Sequence, residues 1–452
     1  MRRGWPAWGL AAAFALTCTA AASAGPAESG AARADTATKV VRVAKGKTSY
    51  VAGARIRSAA GPRAVCLQVR HVRGGHVLRS SRSCLVAGRN WRSFRRVALR
   101  TKAGGGRIDV VVRQRRATSQ ARFQLSRVTL SEAARPQAAP ALHAAAGAPG
   151  CDRYASTSGN DNAPGTGDAP FRTAKKLVRS LTPGQTGCLQ AGLYVENVIV
   201  LSGGRPGAPI TLRSAPGGTA TIGGYVDVKD TADNVVLTGL AVDGSYSPQV
   251  TVQLFGDSVV VSDTEITNRR AAQSCILAGS TKYGIARDLV LVRNRIHGCG
   301  KSATFDHGIY LSDTRNARVS DNVVYDNAAI GIQIYPDADQ SLIEQNTIVG
   351  NGRIGIIFAG EGAFASDGNV VRRNVVTHSR GRYNLETWWG GAVGSGNVAS
   401  DNCVFGGGMG NALMYAGVAA GDNLVADPLY VNAAGADFRL RAGSPCAGLG
   451  AR

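Results

Sequence analysis

The chain has 452 residues, a formal net charge of +22 and nine cysteines. Beyond its first 24 residues, no stretch supplies the roughly 18 continuous apolar residues that span a bilayer, so a membrane-spanning helix in the mature chain is excluded. The charge divides the chain in two: residues 39–135 hold 24 Lys and Arg against only Asp109 and Glu132, whereas residues 151–452 hold 25 basic and 26 acidic residues.

Residues 1–24 have a basic start (Arg2, Arg3), an apolar run from Trp8 to Ala22 and the small-residue ending Ala22-Ser23-Ala24. That order of features predicts a secretory signal peptide, and hence a secreted protein. The Ala-rich residues 25–38 are expected to form a disordered leader. Cys18 leaves with the signal, and the other eight cysteines pair by proximity as Cys66 with Cys84, Cys151 with Cys188, Cys275 with Cys299 and Cys403 with Cys446. Disulfides fit an oxidising compartment. No Cys-x-x-Cys or Cys/His cluster points to a metal.

Residues 39–135 alternate polar and apolar residues in short runs (Tyr50 to Arg57, Ala64 to Val69, Arg107 to Arg113, Ala121 to Leu130) separated by Gly, Ser and Pro. This predicts a small antiparallel β-sandwich. Its words Val65-Cys66-Leu67-Gln68-Val69-Arg70, Trp91-Arg92-Ser93-Phe94 and Phe123 to Leu130 resemble core strands of the carbohydrate-binding jelly rolls attached to secreted bacterial enzymes. Where those modules often carry Asp in the last strand, this chain has Ser126 and Arg127. The concentrated positive charge favours a polyanion. For an exported protein the candidates are acidic polysaccharides, teichoic-type wall polymers or extracellular DNA, but no recognition helix or aromatic RNA-binding motif supports specific nucleic-acid recognition. Residues 136–150 form a Pro/Ala/Gly linker.

From Cys151 the words Tyr154 to Asp161, Pro164-Gly165-Thr166, Ala169 to Thr173 and Gly192-Leu193-Tyr194 open a second unit, with an amphipathic helix expected over Ala174 to Leu181. Further on, an alternating apolar run broken by asparagine recurs at Asn294, Asn322, Asn346, Asn374 and Asn402, spaced 28, 24, 28 and 28 residues apart. A repeat of that length holding short β-branched strands and no helix predicts one coil of a parallel β-helix per repeat. The asparagines then stack in one column as scaffold. With the closing words Asp427-Pro428-Leu429-Tyr430 and Phe438 to Pro445, residues 151–452 resemble secreted right-handed parallel β-helix proteins of the pectate-lyase-like superfamily. The expected fold is therefore all-β: a right-handed parallel β-helix preceded by a small antiparallel β-sandwich.

Aligning coils by their asparagines also aligns the strands beginning at Ile309, Ile332, Ile356 and Leu385, whose side chains should point inward. Their neighbours Tyr310, Gln333, Ile357 and Glu386 should then face out on one long, shallow sheet face. Tyr310, Tyr335, Trp388 and Trp389 could stack on pyranose rings there. Around this face lie Lys301, Asp306, His307, Asp337, Arg353, Glu361 and Arg382, and three of the six histidines (His297, His307, His378) fall in the same region.

Asp306 beside His307 suggests a general base with its orienting partner, or a capped turn with a packed histidine. The Asp-His word is similar to that of mannuronan epimerases, but the Pro and second Asp of that word are missing. A polysaccharide lyase acting on an acidic glycan would use His307, Lys301 or Tyr310 as base and Arg353 or Arg382 as neutraliser. A glycoside hydrolase would draw on Asp306, Asp337, Glu361 and Glu386. An epimerase would reuse the proton abstraction, and a non-catalytic glycan-binding or cell-surface protein would use the same groove. Calcium is an expected cofactor only if Asp337 and Asp339 contribute to a site. The expected partner is an anionic polysaccharide, bound by a monomer.

Overall fold

A computed structural model describes residues 36–43, 49–58, 63–87, 89, 92–93, 97–100, 106–114, 123–133, 150–362, 364–388 and 390–452. The expected signal peptide, residues 44–48 of the sandwich, Trp91, Phe94, nearly all of the linker and Trp389 lie outside them. Among the described residues no helix is long and apolar enough to cross a membrane.

The described residues between 36 and 133 form two antiparallel sheets. One orders its strands as Thr36–Val43, Arg107–Gln114, Arg63–Arg73 and His76–Ala87; the other pairs Ser49–Ser58 with Arg92–Ser93, Val97–Arg100 and Phe123–Ala133. Ile56 and Leu99 from one sheet share a core with Val65, Leu67, Val69, Ile108, Val110 and Val112 from the other. The alternating runs thus fold as the expected sandwich, except that its first strand begins at Thr36, inside the stretch 25–38 expected to be a disordered leader.

Residues 153–425 wind into a parallel β-helix whose coils contribute to three parallel sheets of 11, 10 and 9 strands. Each strand pairs in register with the strands one coil earlier and later, and the inward side chains fill one continuous apolar core from Ala155 to Val404. The helix Ala174–Ser180 closes the first coils, burying Ala174, Leu177 and Val178. Thr173 caps it by accepting the Lys176 N–H. A solenoid end left open would expose apolar core and unpaired strands. All four expected disulfides are formed.

The five asparagines stand in one column at the turn between the 11- and 10-stranded sheets. Asn346 shows the pattern: its backbone N and its Nδ2 both donate to Asn374 Oδ1 at 2.9 Å, and Nδ2 also reaches Val319 O at 2.8 Å and Glu344 O at 3.0 Å. The same bonding joins Asn294 to Asn322, Asn322 to Asn346, and Asn374 to Asn402, and it extends the column to Asn423. The residue before each column position, from Asp263 through Arg293, Asp321, Gln345 and Arg373 to Asp401, is left-handed with φ between 52° and 58°. That conformation costs about 1–2 kcal/mol for a residue with a Cβ, and the ladder bonds hold it. Two shorter ladders mark the other corners: Asn327 with Asn351, and Asn369 with Asn397.

The C-terminal hairpin Tyr430–Asn432 and Asp437–Leu440 packs Tyr430, Phe438 and Leu440 with Tyr325, Val349 and Val375 of the 10-stranded sheet. It covers part of that sheet's outer face.

Asn346→Leu should lower unfolding stability by about 3 kcal/mol or more, because it strands several buried donors and acceptors at about 1–3 kcal/mol each. Asn423→Ala, at the end of the ladder, should cost less. Urea unfolding followed by circular dichroism measures both.

Candidate functional site

The 9-stranded sheet runs through the strands Val198–Val200, Val226–Val228, Val252–Leu254, Ile276–Ala278, Ile309–Leu311, Ile330–Ile334, Ile354–Phe358, Tyr383–Thr387 and Gly410–Leu413. Its register aligns Ile309, Ile332, Ile356 and Leu385 as expected, all fully buried in the core. The residues following these in register form a second row: Ile199, Asp227, Gln253, Leu277, Tyr310, Gln333, Ile357, Glu386 and Leu413. Because neighbouring coils lie about 4.8 Å apart, Asp227 and Glu386 are separated by about 29 Å along the sheet.

The expected shallow face is corrected in its middle. Gln333 is 2% exposed, and Ile357 and Glu386 are fully buried. Ala329, Ile330, Ile354, Ile357 and Ala359 make a second, small apolar cluster with Tyr335 against it. The register places these side chains on the outer face, but register alone does not say how deep the surrounding loops leave them.

Around that cluster the groove residues join in a chain. The His307 ring meets the Tyr310 edge at 5.4 Å between centroids, and Tyr310 stacks on Tyr335 at 6.3 Å. The Tyr335 hydroxyl donates to Glu361. Arg353 and Arg382 lie 5.1 and 4.7 Å from the Trp388 ring, and Arg382 Nε donates to Glu386 Oε1 at 2.9 Å. Gln333 sits between Tyr310 and Ile357 in the row, its Oε1 buried without a hydrogen-bond partner.

Electrostatics make this chain of residues chemically distinct. Burial, helped by the Arg353 charge, pushes the His307 imidazole down to about 3, so it is uncharged at neutral pH. His307 is 3% exposed and its Nδ1 has no hydrogen-bond partner. Burial pushes the Tyr310 phenol up to about 12, against an opposing hydrogen bond from Ser312. Arg353 is shifted down by burial and by the Arg382 charge, whereas the Glu386 hydrogen bond raises Arg382.

Other expected site residues are placed elsewhere. Asp306 Oδ2 accepts the backbone N–H groups of Lys301 at 2.9 Å and Ser302 at 2.7 Å, so it caps the loop and does not orient His307. Lys301 is exposed. Asp337 and Asp339 both bind Arg315, at 2.8 and 3.2 Å. Carboxylates neutralised by a guanidinium do not fit a calcium ion, and among the described residues no group of three or more His, Cys, Asp or Glu is arranged to hold a metal. His297 lies on the 10-stranded sheet, bonded to Glu265 at 3.0 Å and stacked on Tyr325.

Sequence reasoning missed the earlier coils of the same row. Asp227, Lys229, Gln253, Phe255 and Tyr283 line a cleft of about 410 Å³ there. The asparagine column stops at Asn294, and Thr264 takes the next place toward the N-terminus. The words Val226-Asp227-Val228 and Val252-Gln253-Leu254, an outward polar residue between inward valines or leucine, were the available signal.

Residues 228–405 match the family model described as right handed beta helix region. This is a right-handed parallel β-helix. No curated protein matches the chain. Among solved structures, the β-helix chain is similar to pectate lyase Pel9A, at 14% identity and TM-score 0.46 over 65% of this chain and 90% of that one. It is similar to a rhamnogalacturonan lyase at 14% identity and TM-score 0.35 over 61% and 87%. The periplasmic alginate epimerase AlgG is similar at 11% identity and TM-score 0.34 over 54% and 61%.

A histidine buried in its neutral form stabilises the fold fully above the unfolded-state value of about 6.5, and that contribution falls as pH drops toward 3. Between pH 7 and 4.5 the wild-type protein should therefore lose about 3 kcal/mol more unfolding stability than His307→Phe. Denaturant titrations at the two pH values measure the difference.

Proposed function

We propose that this β-helix acts on an acidic polysaccharide by β-elimination, as an exported polysaccharide lyase. The observation that carries the reading is an uncharged His307, a protonated Tyr310 and the guanidiniums of Arg353 and Arg382 gathered beside one stretch of the outer row. The uronate ring stacks on Trp388, and its carboxylate faces Arg353 and Arg382. Their charge stabilises the enolate that develops when the adjacent carbon loses its proton.

The proton goes to the His307 imidazole. The freed electron pair forms the C=C bond as the glycosidic C–O bond breaks, and the departing oxygen takes the Tyr310 proton. An anionic substrate offsets the Arg353 charge and so raises the basicity of His307. Because His307 is 3% exposed, the step requires the groove to open around it. Four disulfides agree with action in an oxidising compartment. The strongly basic residues 39–135 hold the same polyanion by long-range attraction.

Hydrolysis fits less well, because each candidate carboxylate is already engaged: Asp306 by backbone N–H groups, Asp337 by Arg315, Glu361 by Tyr335 and Glu386 by Arg382.

Incubation with pectate, alginate and glycosaminoglycans should give the ultraviolet absorbance of an unsaturated uronate with at least one of them. His307→Gln and Tyr310→Phe, checked for folding by thermal melts, should each slow product formation by about 10²–10⁴-fold. New reducing ends without that absorbance would point to hydrolysis, and deuterium uptake from solvent without new ends would point to epimerisation. Co-sedimentation with a glycan but no reaction would mean a binding protein and would end the lyase reading.

A further inference from the structure

The cleft in the earlier coils is built differently from the His307 end of the same row. Asp227 is 4% exposed, its side chain paired with Lys229, yet its Oδ1 is buried without a hydrogen-bond partner. A buried carboxylate oxygen left unbonded is costly, and a ligand donor would relieve it. Gln253 follows Asp227 in the row, and Ser247 and Gln249 line the same cleft. On its rim the Tyr283 ring, 49% exposed, stands 5.5 Å from Phe255 at an interplanar angle of 47°, with Lys282 Nζ 4.9 Å from its centroid. Among the lining residues only Asp227 and Lys229 are charged, with opposite signs. The lining charges therefore cancel, with the Lys282 ammonium outside them on the rim against Tyr283, whereas two guanidiniums face one carboxylate at Arg353, Arg382 and Glu386.

We infer that this cleft is a separate subsite for an uncharged pyranose residue of the glycan. One sugar hydroxyl donates to Asp227 Oδ1, further hydroxyls bond Gln253 and its neighbours, and an apolar ring face lies on Tyr283. A uronate is disfavoured on the cleft floor, because its carboxylate would approach Asp227 while Lys229 is already committed to that residue and Lys282 stands out on the rim against Tyr283. Two coil steps, about 10 Å, separate Gln253 from Tyr310. The preferred polymer then carries neutral sugars beside its uronates, with the neutral residues bound toward the N-terminal coils. This inference rests on the reading of the groove as a glycan site and specifies its substrate.

The test is saturation-transfer NMR on the full chain with methyl glycosides and tetrasaccharides of glucose, galactose, mannose and xylose, and with methyl galacturonoside as comparator. At least one neutral sugar should receive saturation from the wild-type protein and from Arg353→Ala. The signal should fall at least about fivefold in Asp227→Ala, where a bonded partner is lost, and in Tyr283→Ala. Tyr283 is exposed enough that its loss leaves the fold intact, which keeps the test independent of any folding defect at Asp227. Saturation of none of the neutral sugars, persistence in both variants, or stronger saturation of galacturonoside at this cleft would overturn the inference. Failure of the lyase reading would look different: no eliminated product, with neutral-sugar binding retained.

Discussion

Stacking of one coil on the next in strict register is the constraint on which everything else depends. In a parallel β-helix each strand pairs only with its equivalents in neighbouring coils, so slipping by one residue would exchange the buried row for the outer one along the whole strand. The asparagine column opposes that slip. Each amide donates to the amide oxygen of the next coil, and its own oxygen accepts the backbone N–H of the asparagine one coil earlier, while the residue before it takes a left-handed turn. The fixed register sends Ile309, Ile332, Ile356 and Leu385 into the core and carries Tyr310, Gln333 and Glu386 to the outer face.

That outer face is chemically graded. At one end Asp227 and Lys229 cancel; at the other, Arg353 and Arg382 outweigh Glu386 and both lie against the Trp388 ring. Between these ends lies a small apolar patch with a buried, partly unbonded Gln333 and an uncharged His307. Low local polarity strengthens each charge that faces the patch.

Much of this was legible in the sequence because a solenoid writes its geometry as a period. The asparagine spacing alone aligned the strands correctly from Asn294 onward, and the cysteines paired with near neighbours because coils bring residues about 25–45 positions apart together. Where the marker residue changes to Thr264 the alignment lapsed, and with it the Asp227 cleft. Depth was illegible for another reason. Alternation assigns a side chain to a face, but burial of Glu386 and Ile357 depends on loops whose course the repeat does not encode. Asp306 shows the same limit, since two backbone N–H groups of its own loop claim the carboxylate that adjacency alone would give to His307.

The most direct test of the account is a crystal structure of the protein with an acidic oligosaccharide that it retains from a screen of pectate, alginate and glycosaminoglycan fragments. Sugar density should run along the outer row of the 9-stranded sheet, with a uronate carboxylate about 3 Å from Arg353 or Arg382 and a ring face on Trp388. Density on either of the other two sheets, or confined to residues 36–133, would contradict it.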